Sequence, residues 1–509
     1  MTTLREGAGP GAEGAGPDQA VAGPASVPAW LRWRAAPARL VRRHWIFAAA
    51  LAAAVLPRLV AMLGFQPAVL FRLDTYDYLW GAVHVSPNLV NPSGYSLFLW
   101  LLRPFHSIVL VVILQHLLGL GIATMVYALA RRYGLPGWGA TLAAAPVLFD
   151  PAQLLVEQFV MADLLAMALM AGAFTILLLP RHPSMWQVVT AGLMTGASVT
   201  VRPTTLPLVL LVPLFLLLRR AGWRQAGASL LAGVIPVAGY VGWFAAVHGS
   251  VNLTNSNGMF LWSRTMSFAD CAVIKPPADL QPLCPQAQPG HLGQPDPSRR
   301  LQPKDYLWNH RTWQWRHEAP GFVPDTAAFT QANNDRALRF AVLAIKAQPF
   351  SYIGVVASES AEPFVTANKL RFPTVQPHST GLGKANRRYA VASIRGYTGS
   401  AQGVAGDLGY AYGTRLESPY VFLMNAYQHI VFLPGPVFAL ILLTGLAGIV
   451  LPRRRTAVAA LLWASAAILM LLPIAEHEYT YRYVLPAVPL ACIAAAIAVR
   501  KPPGEAAQA

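Results

Sequence analysis

Ten apolar runs decide what this chain can fold into. They lie near residues 44–64, 106–130, 137–149, 160–180, 186–201, 204–220, 226–247, 429–450, 456–473 and 482–499. A run of ~20 apolar residues spans the hydrocarbon of a bilayer as one helix. Backbone groups at that depth must bond within their own segment, so helix is the form open to each run. The run 137–149 is short and is expected to extend past Pro151 or to sit in a thinned bilayer. The pieces at 94–103 and 150–160 read as interfacial helices. Hydrophobic residues make up 55% of the 509 residues and charged ones only 12%. A polytopic α-helical membrane protein with about 10 transmembrane helices is therefore expected, not a set of soluble domains.

The net charge of +17 could suggest a nucleic-acid partner. The distribution excludes it, because the basic residues stand in short runs beside apolar segments, where they orient helices and meet anionic membrane lipids. Residues 1–43 read as a disordered cytoplasmic tail ending in a basic block, Arg32, Arg34, Arg39, Arg42 and Arg43, with no apolar core of a cleavable signal. An even number of spans puts both termini on one side. The cytoplasmic loops then carry Arg131-Arg132, Arg181-His182, Arg219-Arg220 with Arg224, Arg453-Arg454-Arg455 and Arg500-Lys501. The other side receives Asp74, Asp77, Asp150, Glu157, Glu476 and Glu478, with Asp163 slightly deeper. This places the chain in a plasma (inner) membrane, with an N-terminal transmembrane module at 44–247, an extracytoplasmic region at 248–428, C-terminal helices at 429–500 and a cytoplasmic tail at 501–509.

The region 248–428 mixes aromatics with polar groups, as in Asp305-Tyr306-Leu307-Trp308-Asn309-His310 and Trp313-Gln314-Trp315-Arg316-His317. Such rings stack on sugars, pack a small core or rest on headgroups. Cys271 and Cys284 are expected to form a disulfide in an oxidising exterior. Cys492 reads as an apolar filler in the last run. No zinc pattern and no Gly-rich phosphate loop occurs.

Chemistry is expected at the acidic end. Ionisable residues at the edge of a span are costly to hold and are functional candidates. Asp74 and Asp77, spaced i, i+3, share a helix face. Either can act as a general base, and Asp74 can equally cap a helix. His84 reads as a polar interfacial residue. Glu157 and Asp163 are candidates to line a cavity, Asp163 alternatively capping the run it opens. Arg202, before Pro203, and Arg482, near the start of the last run, stand against the positive-inside trend. A planar guanidinium suits a phosphate, while snorkelling or pairing with Glu476 or Glu478 is the plain alternative.

Four stretches in order resemble the GT-C superfamily of glycosyltransferases that use polyprenyl-phosphate sugars, protein O-mannosyltransferases and the lipid A aminoarabinose transferase in particular. The stretch Asp74-Thr75-Tyr76-Asp77-Tyr78 is similar to the family's first-loop acidic motif. Asn91-Pro92-Ser93-Gly94-Tyr95 resembles its Pro-Pro-Gly-Tyr-Pro-type helix, with serines for prolines at 93 and 96. Val201-Arg202-Pro203-Thr204 resembles its Gly-rich span ending in Arg-Pro, and Arg482-Tyr483-Val484-Leu485-Pro486 its terminal span. The resemblance implies an inverting transfer from a lipid phosphate sugar with Asp74 as base, and Asp163, or else Glu157, as the second acid. Asp77 is expected to be a helper, Arg202 and Arg482 to hold the donor phosphate, and Tyr78 and Tyr95 to face sugar or acceptor. Many members carry adjacent Asp-Glu where this chain has Asp74-Thr75, so a divalent cation is not implied, although the acids could take one. The acceptor, whether protein, lipid or cell-wall glycan, is not inherited. A transporter or flippase of lipid-linked saccharides is the alternative; it predicts mid-membrane charges and broken helices.

Overall fold

The computed structural model describes residues 44–70, 72–288, 302–308, 312–313, 328–365, 370–373, 414–450 and 456–499. The tails at 1–43 and 501–509 lie outside these residues, as do Arg453-Arg454-Arg455, Arg500, Asn309-His310 and Gln314-Trp315-Arg316-His317. The described chain is mainly helical. It runs α1 (Trp45–Gly64), β1 (Phe65–Gln66), α2 (Arg72–His84), α3 (Gly94–Leu102), α4 (Ile108–Arg132), α5 (Gly137–Phe149), α6 (Pro151–Gln158), α7 (Asp163–Leu178), α8 (Met185–Val201), α9 (Leu206–Leu218) and α10 (Trp223–His248). It continues through α11 (Asn257–Thr265), α12 (Cys271–Ile274), α13 (Pro303–Leu307), α14 (Gln331–Ala347), α15 (Pro349–Val365), β2 (Arg415–Leu416) and α16 (Tyr420–Ile430). The last elements are α17 (Gly435–Val450), α18 (Thr456–Glu476), α19 (Tyr481–Val484) and α20 (Ala487–Ala498). The two short strands pair antiparallel, Phe65 with Leu416 and Gln66 with Arg415.

A helix stands at each of the ten predicted apolar runs, but fewer are full spans. Among the described residues four helices are long and apolar enough to cross a membrane, and up to seven qualify if each bent pair counts as one; one of those pairs, Gln331–Ala347 with Pro349–Val365, lies outside the ten runs, in the region expected to be extracytoplasmic. The helices Asp163–Leu178, Pro203–Leu218 and Ala487–Ala498 are apolar but short. At 1.5 Å of rise per residue, 16 residues reach only about 24 Å. The run at 137–149 does extend past Pro151, but with a 50° bend into Pro151–Gln158. The expectation that 150–160 is interfacial is corrected: every residue of α6 is buried.

The break between α5 and α6 has a chemical cause. Pro151 has no N–H to offer the carbonyl of Val147. The Ala152 N–H goes to Asp150 Oδ1 at 2.8 Å instead of to Leu148. Buried carbonyls need donors, and here the donors come from elsewhere. Arg58 in α1 donates Nη2 to Val147 O at 3.2 Å and Nη1 to Leu148 O at 2.8 Å. The Tyr427 hydroxyl donates to Phe149 O at 2.6 Å.

Close helix approach sets the rest of the bundle. Small residues let membrane helices touch backbone to backbone. On α8 a Cβ added at Gly196 would lie 2.0 Å from the Gly233 carbonyl oxygen of α10. Gly196→Leu is expected to force these helices apart and to cost roughly 3 kcal/mol, the upper end for overpacking. An unchanged melting temperature in detergent would show the contact to be dispensable.

Between α10 and α17 lies a second core built on Trp262, Trp313, Phe329 and Phe340, joined by Tyr240 and Phe244 of α10. Tyr306 and Trp313 are buried in it and Trp308 packs against it, so these rings fill a core rather than face a sugar. Trp262 Nε1 donates to Leu283 O at 3.0 Å. The expected Cys271–Cys284 disulfide is formed, across a sequence separation of 13.

Candidate functional site

Apart from a buried cluster around Arg58, two groups of charged residues stand at opposite ends of the bundle. At one end Arg132 Nε donates to Leu179 O at 2.6 Å, and Gln225 donates to Pro183 O at 3.1 Å. This end gathers the loops that hold Arg131-Arg132, Arg181 and Arg219-Arg220. At the other end α7 begins with Asp163 and α8 closes with Arg202. Asp163 occupies the first turn of its helix, where the dipole favours an anion. Arg202 is extended at φ −144° and ψ 110°, as a residue before proline should be. That conformation turns it away from the α8 axis, and its Nη2 donates to Asp163 Oδ1.

A second ion pair lies beside the first. Asp74 sits in the first turn of α2, and Arg482 in the one-turn α19 ahead of the last helix. Arg482 Nη1 donates to Asp74 Oδ2 at 3.2 Å and contacts Met161 Sδ at 3.8 Å. Both guanidinium carbons, of Arg202 and of Arg482, lie 5.0 Å from the centroid of the Tyr483 ring. A ring face attracts cations, so Tyr483 holds two like charges near one another. Arg482 Nη2 also donates to the Tyr483 hydroxyl at 3.2 Å. The Tyr78 phenol feels all four charges, Arg202, Asp74, Asp163 and Arg482, and burial above all raises it beyond its ordinary value, keeping it protonated.

Exposure separates the two acids. The Asp74 side chain is 23% accessible and that of Asp163 only 1%. The Asp74 carboxylate is partly exposed, while that of Asp163 is enclosed. Asp163 Oδ2 is buried without a hydrogen-bond partner.

Four other predicted site residues fall differently. Asp77 is buried, and its Oδ2 accepts from Asn91 Nδ2 at 3.3 Å, so the i, i+3 pair does not act on one partner. Tyr78 faces the ion pairs, as above. Tyr95 meets Tyr78 edge-on at 5.0 Å, but it is fully buried and its hydroxyl donates to Gln115 Oε1 at 2.6 Å. It supports Tyr78 from behind rather than presenting a face to a sugar.

Glu157 belongs to another network altogether. Its carboxylate accepts Arg58 Nε at 2.8 Å, Arg58 Nη2 at 2.9 Å and Gln153 Nε2 at 3.1 Å. Its Oε2 also lies 2.8 Å from His116 Nδ1. His116 Nε2 reaches Gln158 Oε1 at 2.9 Å. With Ala54 O as a further acceptor, Arg58 makes five bonds with its five N–H groups. Glu157, a candidate second acid by sequence, is not brought to the two ion pairs; its carboxylate is enclosed by Arg58, His116 and Gln153. Sequence reading missed Arg58 and His116 because each hides inside an apolar run. It also missed Tyr483 as the spacer between the arginines. Arg482 pairs with Asp74, not with Glu476 or Glu478.

Among the described residues no group of three His, Cys, Asp or Glu side chains gathers as a metal ion would require. Asp74 and Asp163 are each engaged by an arginine. Among the described residues the acids offer a cation no complete ligand set.

By length and composition the apolar helices are those of an α-helical multi-pass membrane protein. No family model, no curated protein and no solved structure matches this chain.

Proposed function

We propose that this chain is a membrane glycosyltransferase of GT-C type, with about ten spans, that moves a sugar from a polyprenyl monophosphate to an acceptor hydroxyl on the outer face. The observation that carries the reading is the convergence of residues 74, 163, 202 and 482 into two adjacent ion pairs around Tyr483. Two acids and two arginines, drawn from four separate stretches of chain, are what such a transfer needs. Asp74 takes the proton of the acceptor hydroxyl. That oxygen attacks the anomeric carbon from the face opposite the phosphate, the bond from carbon to phosphate oxygen breaks, and the configuration inverts. Arg482 and Arg202 take the charge left on the phosphate, and stabilising a developing charge is commonly the largest share of catalysis. The arginines are matched by carboxylates before donor arrives. A phosphate seated on Arg482 competes with Asp74 for the same guanidinium, so donor binding releases the base. The basic opposite end of the bundle supports an orientation with this site outside.

A transporter of lipid-linked saccharides is the second reading. The bent pair 137–158 and the buried Arg58–Glu157–His116 cluster favour it, because transporters use broken helices and charges within the membrane. Single-turnover incubation of the purified protein in detergent with synthetic polyprenyl-phosphate sugars and a mixture of envelope acceptors separates the two. Transfer of label to any acceptor supports the enzyme. Donor binding with no transfer across the sugar panel sinks it in favour of the carrier.

A further inference from the structure

The segment just before Arg482 is fastened, residue by residue, to the region between α10 and α17. Arg264 of α11 is fully buried, and its Nη1 donates to Ile474 O at 3.3 Å. The Tyr352 hydroxyl of α15 donates to Ala475 O at 3.0 Å. Ser263 Oγ lies 3.0 Å from His477 Nδ1, and the Lys304 N–H donates to Glu478 Oε2 at 3.3 Å. Glu359 of α15 closes the series. It accepts both Arg264 amino groups, at 2.7 and 2.6 Å, and its Oε2 also accepts the Tyr479 N–H at 2.9 Å. Tyr479 stands three positions before Arg482. Burial, then the cations Arg264, Lys304 and Arg482, push the His477 imidazole down to about 3, so this junction stays neutral at that residue across ordinary pH.

We propose that Arg264 and Glu359 are a positioning pair that sets Arg482 at the donor phosphate, so that the outer region, and whatever acceptor engages it, acts on the donor site through this joint. The proposal rests on the glycosyltransferase reading. Its physical basis is the one shared carboxylate. A bidentate Arg–carboxylate pair fixes both partners in a plane, and here the same carboxylate holds a backbone N–H of the segment that ends in Arg482. Three further bonds, at residues 475, 477 and 478, hold the rest of that segment, and Arg264 itself adds one to Ile474 O. Neither Arg264 nor Glu359 touches the four charged residues of the site, so any effect on the donor must pass through Arg482.

The test is a double-mutant cycle read by binding of undecaprenyl monophosphate to the full-length protein in detergent, together with hydrogen exchange of residues 477–484. Glu359→Ala is expected to weaken binding about tenfold and to speed exchange in that segment. Glu359→Gln, which keeps a carbonyl oxygen for Tyr479 but replaces the other oxygen with an NH2 that cannot accept from Arg264, is expected to recover only part of both. In an Arg482→Ala background Glu359→Ala should cost nothing more, since coupled sites are not additive and independent ones are. Additive losses, with unchanged exchange at 477–484, overturn the positioning role and leave the glycosyltransferase reading standing. A wild-type protein that does not bind undecaprenyl monophosphate overturns both. If Glu359→Ala fails to fold, the comparison of Glu359→Gln with wild type in the two backgrounds decides, with no exchange difference and additive effects counting against the proposal.

Discussion

Asp74→Asn is expected to lower sugar transfer by two to four orders of magnitude, the range a positioned general base contributes, while binding of polyprenyl phosphate holds or tightens. The two effects have one origin. Asparagine keeps an oxygen where Arg482 Nη1 now donates at 3.2 Å. The pair therefore loses its charge but not its geometry. Without a carboxylate to compete, Arg482 is more available to phosphate, and without a base the acceptor hydroxyl keeps its proton. Arg482→Ala should do the reverse to binding, because it removes the phosphate partner and leaves Asp74 without its cation. Single-turnover transfer and lipid binding on the same preparation distinguish the outcomes. Transfer within a few-fold of wild type in Asp74→Asn would reduce Asp74 to a structural partner of Arg482 and remove it as the base.

The second large effect is one of stability. Glu157→Ala is expected to cost about 3–5 kcal/mol, the usual penalty for leaving a buried charge without its counter-ion. Here the group left behind is Arg58, whose side chain is only 3% accessible, with His116 beside it. Glu157→Gln should cost less, since the amide still accepts hydrogen bonds but no longer balances the guanidinium. Removing Arg58, Glu157 and His116 together in favour of apolar residues of similar size should recover much of the loss. Thermal unfolding in detergent measures each. The same variants bear on function. If the triple apolar protein folds and transfers sugar at the wild-type rate, the cluster is architecture. If it folds and sugar is carried but not transferred in the wild type, the transporter reading gains its strongest support.

Periodic apolarity was enough to locate helices, since a helix stands at every predicted run. It could not say how many cross. The lengths of α7 and α20 depend on where the chain turns, and hydropathy does not report that. The order of charges along the chain put Asp163 and Arg202 at the same end, because the start of one helix and the end of its antiparallel neighbour share a side, but it did not pair them. It could not supply Arg482 for Asp74, a pairing across 408 positions. Nor could it tell Glu157 from Asp163. Both read as acids near an outer helix end, and what separates them is the register of α6 against α1, fixed by carbonyls that Pro151 leaves open. Tyr95 carried a motif, yet packing turned its hydroxyl toward Gln115. Arg264 and Glu359 lay in a region where the sequence pointed to aromatic rings and a disulfide but not to this ion pair.

The guanidinium of Arg58 has a consequence for how the protein is made. It waits on a partner 99 residues downstream. While the ribosome has produced only the first helix, that helix carries a bare cation into the lipid, a burden of about 2.5–3.5 kcal/mol on insertion scales. The open carbonyls of Val147 and Leu148 are equally unsuited to lipid until Arg58 reaches them. Each half is a poor guest in the bilayer alone and an acceptable one together. Pairing with the sixth helix removes that burden from the first.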